Sequence, residues 1–262
     1  MLTRSFVLTL ALATVMSVVS AAPAIAAPGH LEGSLPSAAH TPGRFGSFWT
    51  TDLWIYQQGA TTVHLWFNRA GADNTDAESV VLQLANPVMS VRDVVGTLFG
   101  TDGVGSIHYL ADGPVTVTSR TWTTAPGGGS YGQTIVGVPV SQSSVAGTGQ
   151  AGALRMTVDQ AAQFRANLGL VNISALATTV SVEIFTADGH AAPGSSSFTV
   201  ELPPFGMTQL NDVLARLDPG DRRGLIVRSA VVSDQGAILA YISEVDNRTN
   251  DASYQEAFRF GY

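Results

Sequence analysis

The chain has 262 residues, 13 basic against 20 acidic, a net charge of −7 and no cysteine. The missing cysteine excludes thiol nucleophiles, iron–sulfur clusters and cysteine-based zinc sites. An acidic chain with scattered Arg and no Lys lacks the clustered positive face that nucleic acid requires.

In chain order, the N-terminus reads as a targeting segment. Arg4 precedes an apolar run from Phe6 to Val19, and Ala24-Ile25-Ala26 supplies a small-x-small cleavage site, predicting a signal peptide over 1–26. No later stretch reaches the roughly 18 apolar residues of a spanning helix. The expected mature protein is exported: secreted, periplasmic or at the cell surface. The Arg-only, Ala/Gly/Val-rich composition points to a GC-rich bacterial source, and abundant Thr, Ser and Val suit a β-protein.

Residues 27–34 read as a polar lead-in and Leu35 to His40 as a first strand. Thr51 to Tyr56 and Val63 to Phe67 alternate with the strand period of two, and Ser79 to Leu84 continues the series. Ser90 followed by Asp93, with Val91, Val94, Val95 and Leu98 at helical spacing, predicts a short capped helix. Two strands follow, Ser106 to Leu110 and Val115 to Thr123, split by Ala111-Asp112-Gly113-Pro114. Tyr131 to Val138 closes the unit.

After a Ser/Gly/Ala-rich linker (139–153) the order repeats at an offset of about 118 residues, too long for a solenoid period. Phe164 to Val171, Thr178 to Phe185 and Phe198 to Leu202 answer the first three strands after the lead strand. Thr208 to Leu217, with Leu210, Val213, Leu214 and Leu217 at i, i+3, i+4 and i+7, predicts a better helix than its counterpart. The fold class expected is all-β: two tandem, duplicated immunoglobulin-like β-sandwich domains, 35–138 and 154–262, each with one short helical connection.

The run Asn167-Leu-Gly-Leu-Val-Asn172, then Thr179 to Phe185, Asp188-Gly189, Leu202-Pro-Pro204, Asn211-Asp212 and Asp246-Asn-Arg248 resembles, in order, the β-sandwich domain of the sensory-rhodopsin-transducer family. Phe48 to Tyr56 resembles the tandem version of that domain in secreted bacterial proteins. The resemblance covers most of residues 35–260, implies the fold, and carries over no functional residue.

Catalytic signatures are sparse. There is no G-x-S-x-G elbow, and the five His form no H-x-H or H-E-x-x-H pair. Asp52 aligns with Asn167 and Asp93 with Asp212, and such recurrence suits a turn-capping job better than a glycosidase carboxylate pair. Asp246, Asn250 and Asp251 form an oxygen-rich loop, a candidate calcium site without EF-hand spacing. The informative asymmetry is aromatic. Trp49, Trp54, Trp66 and Trp122 all lie in the first copy, and Gly169 and Glu183 stand opposite Trp54 and Trp66. Alternation turns Trp54, Tyr56 and Trp66 away from Leu53, Ile55 and Leu65. Outward aromatics stack on sugars, anchor a protein partner, or fill an interface between the domains or within a dimer. The expectation is a cofactor-free, non-catalytic binding or structural protein contacting a protein or carbohydrate through an aromatic face formed by these residues. A glycan-active or other hydrolase using turn Asp residues and an oligomeric assembly subunit are the alternatives.

Overall fold

A computed structural model describes residues 30–59, 61–159, 164–218 and 223–259. The predicted signal peptide lies outside them. The strands are β1 His30–Pro42, β2 Phe48–Gln57, β3 Thr61–Arg69, β4 Ser79–Leu84, β5 Val88–Val91, β6 Gly103–Thr124, β7 Ser130–Val136, β8 Val138–Pro139 and β9 Ser144–Val145. They continue with β10 Leu154–Val158, β11 Phe164–Asn172, β12 Thr178–Phe185, β13 Ser197–Leu202 and β14 Met207–Leu210. The last four are β15 Leu225–Val231, β16 Ala237–Asp246, β17 Ala252–Glu256 and β18 Phe258–Arg259. One helical turn, α1 Val94–Thr97, follows β5. The fold is mostly β and its strand ladders are antiparallel.

Much of the pairing pattern of the first half recurs in the second, although β1 pairs β2 whereas β10 pairs β15 and β18. β3 lies between β4 and β6 as β12 lies between β13 and β15. β2 pairs β5 and β6 as β11 pairs β14 and β16, and β6–β7 is answered by β16–β17. The register agrees in detail: Val63 faces Leu82 and Ala111, and Val180 faces Val200 and Val231.

One strand differs in kind. β6 does the work of both β15 and β16. Its residues 103–111 pair β1 and β3, and its residues 115–124 pair β2 and β7. The split expected at Ala111-Asp112-Gly113-Pro114 is therefore a change of partners within one continuous strand. It joins the first half into a single eight-stranded sheet folded over its core, whereas the second half has two separate sheets. In the second half Ser233 to Gly236 makes a real turn, with Gly236 at φ +121°.

Both helices predicted from spacing are much shorter than expected. Ser90 does not cap a helix, because it sits in β5 opposite Trp54. Residues 207–210 are strand β14, paired to Leu168–Val171, and only Val213–Arg216 forms a 3-10 turn. The free edge of β11 claims the backbone hydrogen bonds that a helix would have kept internal. The strand also starts earlier than expected at the N-terminus: β1 begins at His30, inside the expected lead-in.

Alternating aliphatics fill two main cores. Leu53, Ile55, Val63, Leu65, Ile107 and Val117 are fully or nearly fully buried in the first, and Leu168, Leu170, Val180, Val182, Val227 and Ile242 in the second. Burial of such side chains contributes about 1.5–3 kcal/mol each. A third, smaller cluster of Val138, Val171, Met207 and Leu239 joins the halves.

Candidate functional site

The structure separates the aromatic residues that the sequence grouped on one face. Trp54 stands on β2 between Ser90 and Thr118, and Tyr56 between Val88 and Thr116. Trp66 stands on β3 beside His108. Leu53 and Leu65, the neighbours of Trp54 and Trp66, point into the same core from strands that pair different ends of β6. Trp54 and Trp66 therefore look outward from opposite layers, and no single surface holds both. Trp122 shares the Trp54 layer, where its indole N–H donates to Asp52 Oδ2 at 3.1 Å and Arg120 lies over its ring. Trp49 lies elsewhere again, at the start of β2, lining a cleft against the second half.

Trp66 lines a pocket of its own. Four rings run across β3 and β6 and onto the loop before β14. His64 stacks on Trp66 at 5.9 Å, Trp66 meets His108 at 5.6 Å, and His108 meets Phe205 at 6.5 Å between centroids. Phe205 belongs to the second half and holds a left-handed backbone, φ +48°. A loop of the first half fixes it there. Asn74 N–H donates to Pro204 O at 3.0 Å, the Asn74 amide donates to Phe205 O at 3.3 Å, and Gly71 N–H donates to Met207 O at 2.9 Å. The result is a cavity of about 260 Å³ lined by Trp66, Phe205, Glu32, Asn68, Asn74 and His108 among others. That is close to the size of sites that hold one small ring.

The floor of this pocket is polar. His108 Nε2 lies 3.2 Å from Glu32 Oε1. Burial pushes the His108 imidazole below its ordinary value of 6.5, and the Glu32 carboxylate pulls it partly back. A neutral ring that donates from Nε2 to Glu32 leaves Nδ1 as an acceptor. That Nδ1 is buried without a partner, as are the hydroxyls of Ser34, directly across the ladder, and of Ser106, two residues back on β6. Glu32 remains partly open to solvent. The site thus offers aromatic walls, a carboxylate acceptor and an amide.

The turn carboxylates have other work. Asp52, buried, accepts from Asp93 N–H at 3.0 Å and from Arg92. Asn167 accepts from Asp212 N–H at 3.0 Å in the same way. Asp93 and Asp212 both adopt left-handed backbone, φ +47° and +50°, just before a helical turn. Asp93 also accepts from Gly96 N–H and bonds His40 Nδ1 at 2.8 Å. In the 246–251 loop, Asp246 Oδ1 accepts from Arg248 N–H and Thr249 N–H, Asp251 Oδ1 accepts from Ala252 N–H, and Asn250 Oδ1 accepts from Arg165. Among the described residues no group of three or more His, Asp or Glu could hold a metal. No described helix is long and apolar enough to cross a membrane.

His108 and Phe205 were not singled out in the sequence. The signal for His108 was available in the alternation that places it on the outward side of β6. Phe205 comes from a distant loop and left no local signal.

No protein-family model matches the chain, and no curated protein is similar to it. Similar solved structures include a lectin from Pleurotus ostreatus in complex with GalNAc, 8% identical over 87% of this chain and 84% of that one, TM-score 0.22. Another is the apo form of Pleurotus ostreatus lectin, 10% identical over 88% and 82%, TM-score 0.20.

Proposed function

We propose that the protein is an exported, non-catalytic binding protein of the bacterial surface or envelope, built of two duplicated immunoglobulin-like sandwiches, and that it holds a carbohydrate in the Trp66 pocket. The observation that carries the reading is the half-buried Trp66, which forms a wall of a concave site together with Phe205, with Glu32 and Asn68 at hand for hydroxyls. A sugar ring has the matching surface: an apolar face for the indole and equatorial hydroxyls for a carboxylate and an amide. The recurring ladders, the shared register and the paired Asp52/Asn167 turns support the duplication. The commitment of the turn carboxylates to backbone N–H groups supports a binding role over a hydrolytic one.

The test is a glycan array with the full chain, followed by titration of the hits. Trp66→Ala should weaken binding about tenfold or more, the loss of roughly 1.4 kcal/mol or more, while leaving the thermal midpoint nearly unchanged. Glu32→Gln should change which sugars bind. Retained affinity in Trp66→Ala would overturn the reading. A second reading rests on the opposite layer. There Tyr56 is 43% exposed, Val88 48% and Val136 47%, around Trp54, a surface suited to a protein partner or to a second copy of the chain. Trp54→Ala with Tyr56→Ala would abolish such an interaction and leave glycan binding intact.

A further inference from the structure

A second cavity, about 290 Å³, lies where the two halves meet, and its lining has a different chemistry from the Trp66 pocket. Arg44, on the short turn between β1 and β2, and Arg165, at the start of β11, both line it. The N–H groups of Arg165 donate to neutral oxygens: Asn247 Oδ1 at 2.7 Å and Asn250 Oδ1 at 3.4 Å. Asn250 in turn donates to Arg44 O, so one loop ties both arginines to the same rim. Burial and the neighbouring Arg44 charge both act against the Arg165 charge, and the attraction of Asp212 is the weakest of the three influences. Two like charges are held together with no described carboxylate in ion-pair contact with either. In a chain of net charge −7 this is a local concentration of positive field.

The amides that share the cleft point the same way chemically. The carbonyl of Gln133 accepts from Ser243 Oγ at 2.9 Å, and the carbonyl of Asn167 accepts from Asp212 N–H. Asn211 accepts through its carbonyl from Gln209 Nε2 at 2.9 Å. Each bond fixes which end of its amide is turned to the protein. The N–H₂ ends of Gln133, Asn167 and Asn211 have no partner among the described residues. The cleft therefore presents donors and cations, which acceptor-rich anions satisfy. Trp49 adds an aromatic surface to the lining, and Gly43 packs so close to its indole that a Cβ there would stand 2.5 Å from Nε1.

We infer that this cleft is a second binding site, specific for a carboxylate-bearing sugar. The carboxylate sits between Arg44 and Arg165, the ring lies against Trp49, and the hydroxyl oxygens accept from the three amides. Planar guanidinium groups suit a planar carboxylate, and the ligand relieves the repulsion that the apo cleft sustains. This assignment rests on groups separate from those of the Trp66 pocket.

The experiment is calorimetric titration of the full chain with trigalacturonate, beside neutral trigalactose and sodium sulfate. Trigalacturonate should bind, lose affinity steeply as salt is raised, and weaken at least tenfold in Arg165→Gln and in Arg44→Gln. Arg44 sits on an exposed turn, so its variant reports on binding even if Arg165→Gln disturbs the fold, and thermal melts of both separate the two effects. Trp66→Ala should leave this binding unchanged, which distinguishes failure here from failure of the Trp66 reading. The assignment is overturned if trigalacturonate does not bind. It is equally overturned if both Arg variants bind like the parent, if trigalactose binds as well, or if sulfate alone displaces the sugar at equal concentration.

Discussion

His108 shows how one residue couples the pocket to pH. Its folded proton affinity is lowered, chiefly by burial, so between that lowered value and 6.5 the unfolded chain holds a proton that the native chain does not. Stability therefore falls as pH drops through 6.5 and the penalty is complete below the folded value. Over roughly pH 7 to pH 5 the urea midpoint of the parent should fall relative to that of His108→Phe. An unchanged slope in the variant would assign the effect elsewhere. His108 was readable as a strand residue, but its neighbours were not. Nothing local indicates that Glu32 and Phe205 converge on it from 76 positions before and 97 positions after. The outward direction of Trp54 and Trp66 followed from alternation; their placement on opposite layers required the path of β6.

The most legible element is the turn that follows β5 and, in the second half, β14. Asp52 opposite Asn167 and Asp93 opposite Asp212 were aligned in sequence, and each pair does the same job in space: an acceptor on the strand receives the N–H of a left-handed Asp. Left-handed backbone suits Asp better than most non-glycine residues. The two halves thus serve as controls for each other. Asp52→Ala leaves the Asp93 N–H and the Trp122 N–H without their acceptor inside the protein and should cost about 2–3 kcal/mol in chemical denaturation. Asp52→Asn keeps an acceptor like that of Asn167 and should cost about 1 kcal/mol, the weakened bonds to Arg92 and Trp122. Equal losses would show that the charge, not the acceptor, matters. The helical spacing of Leu210, Val213, Leu214 and Leu217 misled because it is shared. Leu210 ends a strand and the other three follow on a 3-10 turn and its exit, so one apolar periodicity spans two elements. Hydrophobic spacing reports burial, and backbone pairing decides which element delivers it.

At the scale of the whole molecule, the halves share more than a seam. Tyr254, on β17 of the second half, packs against the core of the first and meets the Tyr241 ring at a tilt, 5.4 Å between centroids. Burial raises Tyr254 well above its usual range and pushes Tyr109 up to about 12, and in each the Glu256 carboxylate adds to the effect. Burial likewise raises Glu256 above 4.5. The native chain thus keeps a proton on Glu256 in a window where the unfolded chain has lost it. The stabilisation is full below 4.5 and is lost as pH rises through the folded value. Glu256→Gln should raise the thermal midpoint at pH 7 to 8 and leave it unchanged near pH 4, read by calorimetry at both; a lower midpoint at neutral pH would mean that the charge is paired. The position of Tyr254 also sets an order of events during synthesis. A chain emerging N-terminus first can close most of the first core once β7 has appeared, but one piece of that core arrives only with β17. Until then the first half has an unfilled place in its packing. The first half therefore completes its packing only when the strands of the second half dock against it.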